Sequence, residues 1–327
     1  MDGLIGQLRD LLHEHDKLVG SHSDFSHYQG WPLDAGVLLL VNISLWMLSV
    51  VVGKCWPVDF IWSTFPGFMA GFILFRSPLK FISPKQWLYL AVLCFWGIRL
   101  TSNFVMRGGI GHEDWRYQDM RRLVGPRLFP IASLPMVFLG QSTFLFAGCI
   151  PLYGALRNSF STFTLQDLIG LIMMVGAVVI ETASDEQLDE FIKNRKSRAE
   201  IIDTGLWAWS RHPNYFGELT FWWGVWVAGG QELGPAIAGP LLMTMLFVLI
   251  SIPLMEEKNV ENKGDAYVNY IRRVPRLVPM PPGLVRMLYN IPPRHSEGGG
   301  SNANQQKSDA PEETKPSKKK KQSKKDT

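Results

Sequence analysis

The chain has 327 residues, of which 46% are hydrophobic, and its formal net charge is +4. Its mean hydropathy of +0.04 is modest for a membrane protein, because the polar residues are concentrated at the two ends. The positive charge comes mainly from a lysine-rich tail and does not indicate nucleic-acid binding. Between the ends lie apolar runs near the length of about 20 residues that crosses a hydrocarbon core. These runs exclude an ordinary soluble fold, which would show short strands and amphipathic helices.

The apolar runs predict an all-α, polytopic membrane helix bundle with about seven transmembrane helices in residues 34–291. The N-terminal segment 1–33 lacks a cleavable signal pattern and is predicted to form a short amphipathic helix on the membrane surface. The sixth span is short and begins with polar residues, so we expect it to cross at a tilt or only in part. The predicted spans are 34–53, 58–75, 86–106, 131–153, 166–183, 213–230 and 236–255.

The three cysteines, Cys55, Cys94 and Cys149, lie in or beside apolar runs. They show neither CxxC nor His-rich spacing, so the pattern favours neither a zinc site nor disulfides. We therefore predict that they are small buried hydrophobic residues and that the protein holds no metal.

The loops between the predicted spans set the orientation through their positive charges. The loop after the third span contains five arginines, and the loop after the fifth contains Lys193, Arg195, Lys196 and Arg198. With seven spans, both loops share a side with the C-terminus. We therefore predict that the C-terminus is cytosolic.

The tail, residues 292–327, consists largely of Ser, Gly, Asn, Gln and Lys and is predicted to be disordered. It ends in KKDT, so Lys324 and Lys325 resemble the dilysine signal through which coat machinery retrieves endoplasmic reticulum membrane proteins. A chance ending of a lysine-rich tail is the alternative. The signal agrees with the predicted cytosolic C-terminus, so we expect a multi-pass protein of the endoplasmic reticulum membrane.

The stretch GLWAWSRHPNYFGE, residues 205–218, places Arg, His, Asn and Glu at the start of an apolar segment. Pro213 suits the first position of a helix, whose free N–H groups and dipole attract anions. Asn214 and Glu218 are four residues apart and so share a helical face. An interfacial anchor explains the aromatic residues and Arg211, but it does not explain Asn214 and Glu218. The stretch therefore predicts a site for an anionic, hydrogen-bonding ligand.

Two other predicted spans carry polar residues at a spacing of four. Within a membrane Arg99 requires a partner, and the expected carboxylate is Glu181 or Asp59. The basic and aromatic segment after the seventh span, residues 256–279, could bind lipid headgroups or close over a nucleotide. The two spaced sets are Glu181, Asp185, Asp189 and Lys193, which run from the fifth span into the loop after it, and Arg99, Asn103 and Arg107, which run from the third into its loop.

Over roughly residues 34–282 these motifs resemble the steroid 5-alpha-reductase and sterol-reductase superfamily. GLWAWSRHPNYFGE resembles its C-terminal signature, ETASDEQ the polar end of the preceding span, and EE…GDAY…Y…R…P its final nucleotide-binding stretch. VDFIW, RLTSNFVMR and HEDWRY resemble its uncharacterised branch, a domain of unknown function (DUF1295). The resemblance implies an enzyme of the endoplasmic reticulum membrane that uses NADPH to reduce a carbon–carbon double bond. The implied substrate is lipid-like: a steroid, a sterol, or a related isoprenoid or acyl compound.

The resemblance also implies the site residues. Asp59, Glu218 and Tyr267 would be catalytic, with Asp59 as the candidate that polarises the substrate. The substrate-polarising Tyr and Glu of the steroid enzymes have no matched counterpart here, so steroid specificity does not follow. The implied cofactor-binding residues are Asp185, Lys193, Lys196, Arg211, His212, Asn214, Tyr215, Glu218, Tyr267, Tyr270 and Arg276.

Two other functions remain open. RHP-x-Y and the EE…Y…Y…P segment also resemble isoprenylcysteine carboxyl methyltransferases, which bind S-adenosylmethionine. That cofactor is cationic and carries no phosphate, so the basic residues around the motif favour NADPH. The third possibility is a non-catalytic membrane scaffold, which cofactor binding by the purified protein would exclude.

Overall fold

The computed structural model describes residues 30–76, 82–157, 162–229 and 234–289. These ranges contain helices and no β-strand, so the predicted all-α class is confirmed. The predictions for the tail, residues 292–327, and for residues 1–29 lie outside the described ranges. The helices are α1 (Trp31–Val52), α2 (Asp59–Phe75), α3 (Pro84–Met106), α4 (Trp115–Val124), α5 (Phe129–Ser133), α6 (Gly140–Cys149), α7 (Pro151–Arg157), α8 (Leu165–Asn194), α9 (Pro213–Ala228), α10 (Ala238–Met245), α11 (Ile252–Lys263), α12 (Asp265–Arg273) and α13 (Pro282–Tyr289).

Six helical segments of the described chain are long and apolar enough to cross a membrane, so the protein is of the multi-pass membrane type. They coincide with six of the seven predicted spans. The remaining one, the sixth span predicted at 213–230, corresponds to α9, whose 16 residues extend over only about 24 Å. The six segments are Trp31–Val52, Trp56–Phe75, Pro84–Met106, Phe129–Leu156, Leu165–Asn194 and Pro235–Lys263.

The short helix α9 nevertheless runs back through the bundle, antiparallel to α8. Near its start, Gly217 approaches Glu181 so closely that an added Cβ would lie 2.5 Å from Glu181 Cγ. Near its end, Gly224 approaches Gly170, with 3.0 Å between an added Cβ and the Gly170 oxygen. Such small residues let membrane helices pack at short range. Because α9 is largely buried among other helices, the thickness of the lipid does not set its length.

Ion pairs between helices define two ends of the bundle. At the end that carries α4, Arg107, which directly follows α3, pairs with Asp189 of α8 at 2.9 Å. At the opposite end, Arg76 after α2 pairs with Asp34 of α1 at 2.5 Å. The backbone N–H of Met280 donates to the carbonyl of Trp209, in the segment before α9. This hydrogen bond holds the last described residues at the α4 end. The described chain therefore begins and ends at opposite ends of the bundle, while the side that faces the cytosol stays a prediction.

Three aromatic rings form the packed centre beneath the α4 end. Trp96 of α3 stacks on Phe221 of α9 with 4.9 Å between ring centroids and meets the edge of Trp222 at 5.5 Å. All three side chains are fully buried. Aromatic contacts of this kind add stability beyond the area they bury, so they fix α9 against α3.

The outer surface of the bundle is rich in exposed apolar side chains, as a lipid-facing surface requires. Val51 and Phe75 are more than four-fifths exposed. Cys55 and Cys149 are buried as predicted, but the prediction for Cys94 is wrong, because this residue is exposed on α3. In a membrane protein the outer surface also meets an apolar medium, so an apolar position need not be inside the protein.

Candidate functional site

A cavity of about 580 Å³ lies at the α4 end, between α2, α3, α4, α8 and α9. The loop before α4, Gln141 of α6 and the π-helical turn Leu246–Ser251, which joins α10 to α11, also line it. Turns of this type inside α-helices are frequent at functional sites. The polar and charged groups of the lining include Asp59, Arg99, Asn103, Arg107, Asp114, Arg116, Glu181, Asp185, Asn214, Tyr215 and Glu218.

The polar faces of α3 and α8 meet along one side of the cavity. Arg99 pairs with Glu181, which confirms one of its two expected partners, and also with Asp185 at 3.0 Å. Asn103 donates from its side-chain amide to Asp185 over 2.6 Å, and Arg107 lies 3.6 Å from the same carboxylate. Asp185 is therefore held by three donor groups and forms a fixed acceptor in the wall.

The carboxylate of Glu218 is surrounded by three indole N–H groups from three helices. Trp62 of α2 and Trp96 of α3 each donate to it over 3.2 Å, and Trp222 of α9 donates over 3.0 Å. The sequence motif identifies Glu218 but gives no sign of these tryptophans as its partners. The one local signal is the spacing of four between Glu218 and Trp222, which places both on one face of α9.

Asn214 and Tyr215 present uncommitted polar groups to the cavity. Neither side chain has a hydrogen-bond partner within the described part of the chain, and both line the cavity. The ring of Tyr215 is held between His212, with centroids 5.4 Å apart, and Phe247, at 4.9 Å. The phenol is thus fixed in position while its hydroxyl remains available to a ligand.

On the other side of the cavity, Asp59 belongs to a chain of hydrogen bonds. Tyr117 donates to Asp59 over 2.8 Å, and Gln141 donates to the Tyr117 hydroxyl over 2.8 Å. Burial raises the pKa of Tyr117 well above its ordinary value, so the phenol keeps its proton at neutral pH. Burial also acts to raise the pKa of Asp114, but its two-point contact with Arg116 more than offsets this and leaves that pKa lowered.

Arg211 and His212 face away from the cavity and are not among the described residues that line it. Arg211 donates to Glu256 over 2.7 Å and to the Val274 carbonyl over 2.5 Å. His212 lies 3.3 Å from the same carboxylate, as does Arg276. Burial lowers the pKa of His212 even though Glu256 acts to raise it, so the imidazole is neutral at pH 7. These residues join the start of α9 to α11 and to the segment after α12.

Five more of the predicted cofactor residues lie outside the cavity lining of the described chain: Lys193, Lys196, Tyr267, Tyr270 and Arg276. Tyr270 donates to the Trp207 carbonyl over 2.6 Å and packs against Tyr267, with 5.7 Å between the ring centroids. Burial raises the pKa of both phenols, so they stay neutral. Lys193 and Lys196 are exposed near the end of α8, at the same end of the bundle as the cavity.

The fold and the cavity together define a multi-pass membrane protein with a ligand-sized polar site at one end of its bundle. The profile of the family described as "Protein of unknown function (DUF1295)" matches residues 45–274, and the chain belongs to that family. This match spans the helices that form most of the cavity. The placement of the chain in the steroid-reductase superfamily stays an inference from the motifs.

Two known proteins are similar to this chain in sequence. An uncharacterized protein of Schizosaccharomyces pombe is 26% identical over 231 residues, which cover 63% of this chain and 67% of that protein. The protein-S-isoprenylcysteine O-methyltransferase of Xenopus laevis is 26% identical over 133 residues, which cover 37% of this chain and 43% of the methyltransferase. No solved structure matches the chain significantly.

Proposed function

We propose that this protein is a membrane-embedded, NADPH-dependent reductase of a carbon–carbon double bond in a lipid-like substrate. One observation carries the proposal: the signature folds so that Asn214, Tyr215 and Glu218 line the same cavity as Asp59 and Asp185. The resemblance assigned all five to the reaction or to the cofactor. The volume of about 580 Å³ falls within the range of roughly 300–1,000 Å³ that is usual for ligand sites.

The residues of the inner cavity fit the nicotinamide end of the cofactor. NADPH would supply a hydride to the substrate. Asn214 and Tyr215 would hold the carboxamide, since both have uncommitted hydrogen-bonding groups in the lining. Asp59, which lines the cavity and accepts from the Tyr117 hydroxyl, would hold a proton against a substrate carbonyl and so polarise it. Leu100 and Phe104 would contact the apolar part of the substrate.

The phosphates of the cofactor require cationic side chains. The predicted cationic residues differ in whether a carboxylate of the protein already pairs with them. Arg211 and Arg276 are both held by Glu256. Lys193 and Lys196 are exposed and form no ion pair with any residue in the described ranges. We therefore assign the phosphate contacts to Lys193 and Lys196, while Arg211 acts through the position it gives to α9.

A second candidate is a methyltransferase that uses S-adenosylmethionine. The match to the methyltransferase of Xenopus laevis favours it. So does the charge of the cavity, because its lining contains five carboxylates, of Asp59, Asp114, Glu181, Asp185 and Glu218, against three guanidinium groups. A net negative lining suits a cationic sulfonium better than a phosphate.

Isotope transfer separates the two candidates. The purified protein is incubated with a cellular lipid extract and either NADPH deuterated at C4 of the nicotinamide or S-adenosylmethionine with a deuterated methyl group. The reductase predicts a lipid that gains one deuterium from NADPH. The Asn214→Ala variant is the control, because it removes a cavity group that has no other described partner. Label that enters lipid only from S-adenosylmethionine would establish the methyltransferase instead.

A further inference from the structure

We propose that the cavity at the α4 end binds an organic cation, and that Glu218 supplies the negative charge that selects it. Two sources of such a cation fit the candidate functions: the nicotinamide ring of NADP⁺ and the sulfonium group of S-adenosylmethionine. The choice of NADP⁺ rests on the proposed function. The preference for a cation over a neutral group is a property of the cavity, which Glu218 lines from α9.

The positive charges of the cavity lining are already matched within the protein. Each of its three guanidinium groups forms an ion pair with at least one carboxylate, so none of them has to be matched by a ligand. The pairs join Arg99 to Glu181 and Asp185, Arg107 to Asp185 and Asp189, and Arg116 to Asp114.

The carboxylate of Glu218 differs, because it forms no ion pair with any residue that the structure describes. Its three donors are the indole N–H groups of Trp62, Trp96 and Trp222, which are neutral. Only 6% of Glu218 is exposed, so bulk water does not compensate the charge either. Neutral donors stabilise a carboxylate without cancelling its charge, and a buried charge is unfavourable unless it is paired. A ligand can supply the positive charge that this carboxylate lacks.

The indole groups also determine how Glu218 acts on a ligand. Trp62 and Trp222 both donate to Oε1, and Trp96 donates to Oε2. Three of the roughly four lone-pair positions of the carboxylate are therefore occupied. Glu218 acts on a ligand mainly through its charge, and the low dielectric of a buried site extends the distance over which that charge is felt.

A second buried carboxyl group, that of Glu181, leaves an acceptor open beside the same cavity. Glu181 is 3% exposed and belongs to the cavity lining. Its Oε2 accepts from Arg99, whereas its Oε1 has no hydrogen-bond partner among the described residues. The charge of Arg99 is shared with Asp185. The negative potential of this wall is thus not fully cancelled by the protein, as a site for a cation requires.

Aromatic side chains of the lining favour an organic cation. Trp62, Tyr215 and Phe247 line the cavity together with Glu218. The ring of Tyr215 is fixed between His212 and Phe247, with centroid distances of 5.4 and 4.9 Å. The faces of such rings attract organic cations such as quaternary ammonium groups. The cavity therefore combines a buried negative charge with aromatic walls.

Two pairs of compounds test the preference, because the members of each pair differ mainly in one charge. The nicotinamide ring is neutral in NADPH and positively charged in NADP⁺. S-adenosylmethionine contains a sulfonium group, whereas S-adenosylhomocysteine contains a neutral thioether. Calorimetric titration of the purified wild-type protein at pH 7 measures the affinity for each compound. The cationic member of at least one pair should bind about tenfold more tightly than its neutral counterpart.

Variants assign the preference to Glu218. Glu218→Gln keeps the shape of the side chain and removes its charge, so the two members of the pair should bind with about equal affinity. Glu186→Gln is the matched control and should keep the preference, since Glu186 is exposed on α8. Thermal unfolding shows whether each variant is folded. If Glu218→Gln does not fold, the wild-type comparison decides the proposal alone, and a folded Glu218→Gln protein with an unchanged preference overturns the role of Glu218.

The outcomes separate this proposal from the proposed function. A wild type that binds none of these compounds, or that prefers the cationic member of neither pair, overturns the cation site. If NADPH binds but neither pair shows the preference, the reductase proposal stands and the cation site fails. If S-adenosylmethionine is preferred over S-adenosylhomocysteine and neither dinucleotide binds, the cation site stands and the reductase proposal fails.

Discussion

Arg211 Nε donates to Glu256 Oε1 over 2.7 Å, and this contact joins the start of α9 to α11. The same guanidinium also donates to the carbonyl groups of Ile271 and Val274. The arginine of the RHPNYFGE signature is thus enclosed by protein, with only 7% of its surface exposed. Its charge is already compensated, so it holds the C-terminal segment over the bundle.

Replacement of Arg211 by Ala should therefore lower the stability of the unliganded protein. The change removes the nearest of the three basic side chains around Glu256 and a donor to two carbonyl groups, and the loss of one member of a buried ion pair costs roughly 3 kcal/mol. Thermal unfolding of the detergent-solubilised protein measures the effect. Arg272→Ala is the control, because Arg272 is an exposed arginine of the same α12 segment. Equal melting temperatures for the two variants would contradict the structural role of Arg211.

Asn214→Ala and Glu218→Ala should fail in different ways. Asn214 has no described hydrogen-bond partner, so its removal should leave the melting temperature unchanged while NADPH no longer raises it. Removal of the Glu218 carboxylate leaves three indole N–H groups unpaired, and the two that are fully buried, of Trp96 and Trp222, cost about 1–3 kcal/mol each. This variant should melt at a lower temperature even without ligand. Thermal shift with and without NADPH distinguishes the two, and a destabilised Asn214→Ala protein would argue against its role as a ligand contact.

Gly217→Ala should destabilise the contact between α8 and α9. Its Cβ would meet Glu181 Cγ at 2.5 Å, so one helix has to shift. The expected result is a lower melting temperature and weaker NADPH binding. Binding weakens because the shift of the helix displaces Glu181 and Glu218, which both line the cavity. Gly176→Ala on α8 is the control, since no atom lies within 4 Å of its added Cβ. At an open helical position alanine is favoured over glycine by about 0.5–1 kcal/mol, so this variant should be neutral or more stable.

The C-terminal tail should face the cytosol, and the protein should reside in the endoplasmic reticulum. The basis is the arginine-rich loop after α3 and the Lys324 and Lys325 ending. An epitope inserted before Lys318 should be digested when intact microsomes are treated with protease. An epitope at residue 30 should be protected, since the described chain begins and ends at opposite ends of the bundle. The reverse pattern would overturn the orientation, and replacing both terminal lysines by Ser should release part of the protein.

Local spacing predicted the wall of the cavity well. The sets at intervals of four in the third and fifth spans do face each other, as the pairing of Arg99 with Glu181 and of Asn103 with Asp185 shows. This was accessible because a spacing of four defines a helical face and because a charge within a membrane requires a partner. The apolar spans were equally accessible, since lipid thickness sets their length.

Contacts between segments that are distant in the sequence could not be predicted from local spacing. Glu256 is the partner of Arg211, and Trp62 and Trp96 are partners of Glu218, yet nothing in the local pattern of either motif marks them. The resemblance placed Arg211 at the cofactor because it carries only the motif, whereas the packing of α11 and α12 decides what that arginine contacts. The sixth span was expected to be short, as α9 is, but its burial among other helices was not accessible, because local spacing does not show which helices surround it.

Binding of NADPH by the purified protein tests the central claim most directly. Calorimetric titration of the wild type, of Asn214→Ala and of a Lys193→Ala, Lys196→Ala double variant should be made with NADPH, NADH and S-adenosylmethionine. The account predicts that the wild type binds NADPH more tightly than NADH, that the lysine variant loses this preference, and that Asn214→Ala weakens both. Equal affinity for the two dinucleotides, or tight binding of S-adenosylmethionine alone, would contradict it.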